Sequence, residues 1–457
     1  MSRFCRFFLN AHFAASACIL CGLRSLALAE GATSPRLEPH PTGETISLRD
    51  AIELALRTHP SGAQARANVD VASARVEEAR APYLPQVAAS AQYQRTTANC
   101  VIRPGYANQA CANSPPTSWN PSNNNYILSA SASQLIYDFG QTSERWRSSE
   151  ANVASAMDSE RGVRIQLVSN VRKTYFQARA QKDLAAVADR TVKNQERHLA
   201  QIDGLVAHGM RPEIDSVTAQ TNVANAEVQL IAAENGYALA CAALDQAIGL
   251  SAAAGYQPGD DEMAPLPEES ASLVELLAVA LRDRPELAAF AEQRKAQEHI
   301  IESTKGAYGP SLSAQASVSD QGVKLDSLAP NWWVGALLSW QLYQGGATAA
   351  QVREARATLR SIAAQEETFK LGVRVDVEQA SLAVQAARAT LDAAGLALKN
   401  ADKQLELAES RYGVGMGSVI ELGDSQVTDT QAAAQEVNAR YNLASARAAL
   451  LGALGRE

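Results

Sequence analysis

Beyond Ala29 the chain has no run of eighteen apolar residues, so no part of it is expected to cross a membrane as a helix. Positive charge is also in short supply. The formal net charge is −8, and taking away Arg3, Arg6 and Arg24 with the segment Met1–Ala29 makes it −11 (−8 − 3 = −11), which argues against nucleic acid as a partner. The histidines His40, His59, His198, His208 and His299 are scattered. There is no His-Glu-x-x-His, no Cys/His metal spacing, no phosphate-binding glycine loop and no nucleophile elbow, so neither an enzyme nor a cofactor is expected. Cysteine is sparse: Cys5, Cys18 and Cys21 sit before Ala29, Cys241 stands alone, and Cys100 and Cys111 share one polar segment. In an oxidising compartment Cys100 and Cys111 are expected to form a disulfide, which would stabilise so short a loop by about 3 kcal/mol.

The N-terminal segment Met1–Ala29 runs from Met-Ser-Arg-Phe-Cys-Arg through an Ala-rich apolar stretch to Ala27-Leu28-Ala29, and reads as a signal peptide. Cys18 follows Ser16-Ala17 as a weak lipobox only, because Ala15 stands where Leu is usual. An exported chain without a membrane helix can still enter an outer membrane as a β-barrel.

The rest is duplicated. Ser47-Leu48 returns as Ser272-Leu273, Pro60 as Pro285, Tyr83 as Tyr308 and Pro85 as Pro310, all at one offset (272 − 47 = 225). Further on, Tyr137 pairs with Tyr343, Gly209-Met210 with Gly415-Met416 and Gly249 with Gly455 (343 − 137 = 206), so the first copy carries 225 − 206 = 19 extra residues. The copies are placed at residues 30–250 and 271–457, joined by a linker over 251–270 with Pro258, Pro265 and Pro267.

Four segments alternate with a period of two, in pairs over about 85–138 and 311–343. Val87, Ala89, Ala91 and Tyr93 face away from Gln86, Ser90, Gln92 and Gln94; Leu128, Ala130 and Ala132 face away from Ser129, Ser131 and Ser133. In the second copy Leu312, Ala314, Ala316 and Val318 oppose Ser313, Gln315, Ser317 and Ser319, and Trp332, Val334, Ala336, Leu338, Trp340 and Leu342 form the most apolar set. An apolar face backed by Ser and Gln suits a wall between lipid and water, with Trp332, Trp333 and Trp340 as an aromatic girdle. An ordinary half-buried antiparallel sheet is the alternative. The polar segments 95–125 and 320–330 read as loops between the paired strands.

Residues 141–207 and 347–412 read as proline-free, Ala-rich helices, each on the order of 100 Å long at 1.5 Å per residue. Each breaks at a glycine cluster, His208-Gly209-Met210-Arg211-Pro212 or Gly413-Val414-Gly415-Met416-Gly417, and returns as a shorter helix over 213–248 or 418–454. Helical patterns over 47–80 and 272–305 lead into the strands. Four strands cannot close a membrane barrel, so several chains must share one. A periplasmic coiled-coil scaffold is the rival reading, and it leaves the amphipathic strands without a use.

In the order of these parts the chain resembles the TolC family of outer-membrane efflux ducts over nearly the whole mature sequence. The resemblance rests on the Tyr-x-Pro junctions, the strand exits Leu135-Ile136-Tyr137-Asp138-Phe139-Gly140 and Leu342-Tyr343-Gln344-Gly345-Gly346, and the two Gly-Met turns. It implies a mainly α fold with a membrane β-barrel portion: long helical hairpins forming a periplasmic α-barrel, and four strands per chain in a trimeric 12-stranded barrel. The implied partners are two further copies of the chain, outer-membrane lipid, a periplasmic adaptor and an inner-membrane pump. The implied function is passive export of drugs, metals or other small molecules, with type I protein secretion as the alternative. The resemblance further places an acidic aperture ring at Glu421 and Asp424, which would attract cations and let multivalent ones plug the opening. It places a closed-state link at Tyr412 and Asp215, and adaptor-docking tips at Gly209, Met210, Gly415 and Met416. The family's arginine in that link is Gly417 here, and Arg211 stands at the repeat-equivalent position as a substitute.

Overall fold

The computed structural model describes residues 44–97, 122–250 and 255–457; the expected signal peptide and the Cys100–Cys111 pair lie outside them. Each repeat begins with two short helices. They are α1 (Leu48–Thr58) and α2 (Pro60–Arg80) in the first copy, α5 (Leu273–Asp283) and α6 (Pro285–Gly306) in the second. The sequence pattern reads as one helix in each place. Pro60 and Pro285 break it, because proline lacks the N–H that would continue the ladder and is well suited to the first helical position instead.

The long helices α3 (Gln141–Ala207) and α7 (Ala347–Gly413) are each 67 residues, about 100 Å. They turn back as α4 (Glu213–Ile248) and α8 (Val419–Ala453). No helix among the described residues is long and apolar enough to cross a membrane. The repeats interlock, since α3 packs not only on α2 and α4 but also on α6 and α8 of the second copy.

Two apolar cores follow the duplication. Ala51, Ala55, Leu167, Val171, Leu244 and Ile248 pack in the first, and their repeat equivalents Leu276, Ala280, Val373, Val377, Leu450 and Leu454 pack in the second. Each core is closed where the last helix of a repeat meets the break between its first two. Thr58 Oγ1 donates to the Ile248 carbonyl at 2.8 Å, and Arg284 Nε donates to the Ala453 carbonyl at 2.7 Å, so helix-end carbonyls that would lack partners are satisfied.

The expected linker is stitched into this region. β1 (Thr45–Ile46) pairs in parallel with β4 (Gln257–Pro258). Asp261 accepts from Leu48 N at 2.9 Å and from Tyr175 Oη at 2.6 Å, while Arg447 donates to Glu269 at 2.6 Å.

The remaining strands form one antiparallel sheet in the order β2 (Gln86–Thr97), β3 (Ser122–Tyr137), β5 (Ser311–Gly322), β6 (Ala329–Ser339). β2 and β3 extend into the segment expected to be loop. Asn123, Asn124 and Asn125 pair with Thr96, Arg95 and Gln94, so ladder pairing overrides their poor strand propensity.

Candidate functional site

The sheet register aligns one apolar face across all four strands. Ala89 pairs with Ala130, Ala130 with Val318 and Val318 with Trp332; one step along, Val87, Ala132, Ala316 and Val334 form the next row. Nothing in the described chain covers this face: Val87 is 75% exposed, Trp332 73% and Val334 70%. On β5 and β6 it ends where Asp320 pairs with Pro330. The other face carries Gln92, Ser90, Ser129, Ser131, Gln315, Ser317 and Ser319, with the Ser90 and Ser129 hydroxyls 2.8 Å apart. Within the described chain β2 and β6 each have a neighbour on one side only, leaving two open edges.

Of the expected girdle, Trp332 and Trp340 lie on the apolar side. The eight residue steps from Trp332 to Trp340 (340 − 332 = 8) span about 27 Å along the strand at 3.4 Å per residue. With strands tilted about 40° that becomes roughly 20 Å, close to the apolar band of about 25 Å in membrane barrels. Trp340 Nε1 donates to the Tyr308 carbonyl at 3.0 Å, fixing its ring at the strand-to-helix junction. Trp333 does not belong with them. It pairs with Ser317, and alternation turns its side chain to the Ser/Gln face. Tyr93 and Tyr126, with ring centroids 5.1 Å apart, add aromatic surface on the apolar side toward the loop end.

The junction itself is strained. Phe139 has φ 54°, left-handed for a residue with a side chain, at the position where the second repeat has Gly345 with φ 62°. Its ring occupies space that a side chain at Gly309 would need, since a Cβ there would lie 2.3 Å from Phe139 Cγ.

The hairpin end is built by the two turns. Gly209 and Gly415 adopt φ 70° and 75°, the left-handed conformation that lets Met210 N and Met416 N reach back to the Leu205 and Arg411 carbonyls at 2.9 Å. The turns leave Met210 64% and Met416 77% exposed. Behind them Ile202, Ala219, Ala408, Tyr412 and Leu422 form a small core.

Tyr412 is buried there, edge-on to His198 with ring centroids 5.3 Å apart. Burial holds the His198 imidazole below its ordinary pKa and raises that of the Tyr412 phenol, with Arg211 opposing and Asp215 reinforcing the latter shift. The Tyr412 hydroxyl has no hydrogen-bond partner among the described residues, so the expected Tyr412–Asp215 link is not direct here. Arg211 connects them: its guanidinium carbon lies 5.2 Å from the Tyr412 ring centroid and its Nη1 lies 3.8 Å from Asp215 Oδ2. Gly417 leaves no room for an arginine, because a Cβ there would fall 2.8 Å from Tyr412 N.

Asp215 and Glu421 are repeat equivalents (421 − 215 = 206), and both are arginine-paired. Arg411 Nη1 donates to Glu421 Oε1 at 2.7 Å. Asp424 is exposed and has no ion-pair partner among the described residues, so it is the uncompensated carboxylate of the pair. It borders a groove of about 450 Å³ over α3 between α4 and α8, lined also by Gln195, His198, Asn222, Gln229 and Thr430.

Sequence reasoning missed one further group in this region. Asp429 on α8 lies near Asp402 on α7; burial, then the neighbouring Asp402 carboxyl, pushes its own carboxyl up to about 6, with Arg190 opposing and Glu409 reinforcing. Three residues beyond Gln426 on a helix, Asp429 gave no signal that its partner would be acidic.

A profile of the outer membrane efflux protein family matches residues 51–250 and 276–456. The chain belongs to the outer membrane efflux protein family. It is 25% identical to Protein CyaE of Bordetella pertussis over 451 residues, covering 95% of this chain and 90% of that one. It is 26% identical to outer membrane protein TolC of Escherichia coli over 440 residues, covering 90% and 82%. Its fold matches the crystal structure of the Campylobacter jejuni CmeC outer membrane channel with TM-score 0.74 at 18% identity, over 89% of this chain and 85% of that one. As an outer membrane efflux protein it is a channel of the cell outer membrane that extends into the periplasm, with a mainly α fold and a membrane β-barrel portion.

Proposed function

We propose that three copies of the chain share one conduit, passing small molecules from a periplasmic adaptor and an inner-membrane pump to the exterior without chemical change. The observation that carries this reading is the four-stranded sheet with two open edges and an uncovered apolar face. Open edges are not tolerated in lipid, so β6 of one copy pairs with β2 of the next, and 3 × 4 = 12 strands close the barrel with the Ser/Gln face around water. The helices support the same assembly. Leu371, Val375, Leu382, Leu396 and Leu407 form an exposed stripe on one face of α7, and Ile214, Val217, Val228, Ile231 and Leu239 form another on α4. Such stripes are the seams by which long helices of neighbouring copies pack.

At the hairpin end the conduit narrows. Arg211 holds Tyr412 and Asp215 together within each copy and so favours the closed end, while Asp424 and the arginine-paired Glu421 set the charge of the opening. The exposed Met210 and Met416, each beside a glycine without a side chain, form the tips on which the adaptor docks.

Light scattering of the detergent-extracted protein tests the assembly, together with conductance across a planar bilayer. A mass of three chains and discrete conductance steps are expected. A monomer that stays in solution without detergent and opens no pore rejects the reading.

A further inference from the structure

We propose that Trp333 is a binding platform inside the barrel for planar aromatic cargo, cationic cargo above all. The inference rests on the shared-barrel reading above, which makes the Ser/Gln face the wall of the lumen.

The row through Trp333 runs Ala88, Ser131, Ser317, Trp333, one residue from each strand. Its one neighbour within the chain, Ser317, is too small to shield the indole, and the residue is 50% exposed in the single chain. Gly335, two residues on and on the same face, sits beneath it: a Cβ at Gly335 would lie 3.8 and 3.9 Å from Cζ3 and Cε3 of the indole. Gly335 thus leaves the space beside the six-membered ring without a side chain. Folding gains little from an indole so placed, because hydrophobic stabilisation requires removal from water. Trp340 differs in having its N–H fixed on the Tyr308 carbonyl and its ring on the apolar side.

Threefold symmetry sets three such indoles around the lumen, among hydroxyls and amides that neither attract nor repel charge strongly. A flat aromatic molecule stacks on an indole face, and a positive charge is drawn further by the negative face of the ring. An aliphatic cation of similar size gains only the second contribution.

Single-channel recording with ethidium added at the barrel-mouth side, and tetraethylammonium as the aliphatic comparison, tests the site. Ethidium is expected to interrupt the wild-type current with dwell times about tenfold longer than in Trp333→Ala, and tetraethylammonium should show a smaller difference. Trp333→Phe should keep an intermediate dwell time, and Ser319→Ala on the same face should match wild type. Equal ethidium dwell times in wild type, Trp333→Ala and Trp333→Phe, with normal conductance, would overturn the platform and leave the channel reading intact. A wild-type protein that opens no pore would overturn both.

Discussion

Arg211 lies over the ring of Tyr412, its guanidinium carbon 5.2 Å from the ring centroid, and thereby ties the turn of the first hairpin to the end of the second. The arginine comes from the opposite repeat to the one the family pattern would use, because Gly417 must approach the Tyr412 backbone too closely to carry a side chain.

Loss of that contact should ease opening. A cation–π pair contributes about 0.5 to 2 kcal/mol, and the longer Arg211–Asp215 pair adds at most about 1 kcal/mol. Arg211→Ala is therefore expected to raise the open probability in planar bilayers by about twofold or more. Tyr412→Phe keeps the ring and removes a buried hydroxyl that has no partner among the described residues, so its melting temperature should equal or exceed that of wild type. A marked loss of stability in Tyr412→Phe would show that the hydroxyl is bonded in the assembled channel.

The charge of the opening should respond in opposite directions to two changes. Glu421→Gln with Asp424→Asn is expected to lower cation selectivity. Arg411→Gln frees the Glu421 carboxylate and should raise it. Reversal potentials in asymmetric salt measure both, and unchanged selectivity in the carboxylate variant would reject the acidic ring.

Asp429 makes the hairpin bundle sensitive to pH. Its folded-state pKa is raised to about 6, so its stabilising contribution is complete below its ordinary value of 3.8 and is lost as the pH climbs through about 6. Asp429→Asn retains a neutral amide against Asp402 at every pH. The variant should melt close to wild type at pH 4 and several degrees above it at pH 7.5. An equal difference at the two pH values would contradict the raised pKa.

The tips separate folding from docking. Gly415→Ala puts a Cβ on a residue with φ 75°, which costs about 1 kcal/mol and should lower the melting temperature slightly. Met210→Ser with Met416→Ser touches only exposed side chains, so melting should hold while adaptor binding, read by calorimetry, weakens by about tenfold or more. Adaptor affinity that survives the double change would move docking elsewhere.

Much of the architecture was readable in the chain because the duplication tests every pattern twice. The helix ends at Ala207 and Ile248, and the placing of Val87 and Ala132 on apolar strand faces, follow from periodicity, proline and glycine alone. The breaks at Pro60 and Pro285 were also written there, though the apolar pattern continues across them. Trp333 shows the limit of composition: three tryptophans in one segment suggested one belt, yet adjacent residues of a strand face opposite ways. The ties made by Asp261, and the meeting of Asp402 with Asp429, join elements far apart in sequence, and no local rule reports such pairs.

Sequence by itself determined where the long helices and the cores of the strands lie and which face of each is apolar, because those properties follow from short-range alternation and chain stereochemistry. Tertiary structure alone decided the ties between hairpins. Whether Arg211 lies over Tyr412, or Tyr441 donates to Asp183, depends on how two hairpins cross, and ångström-scale electrostatics is settled only once that packing brings the side chains together.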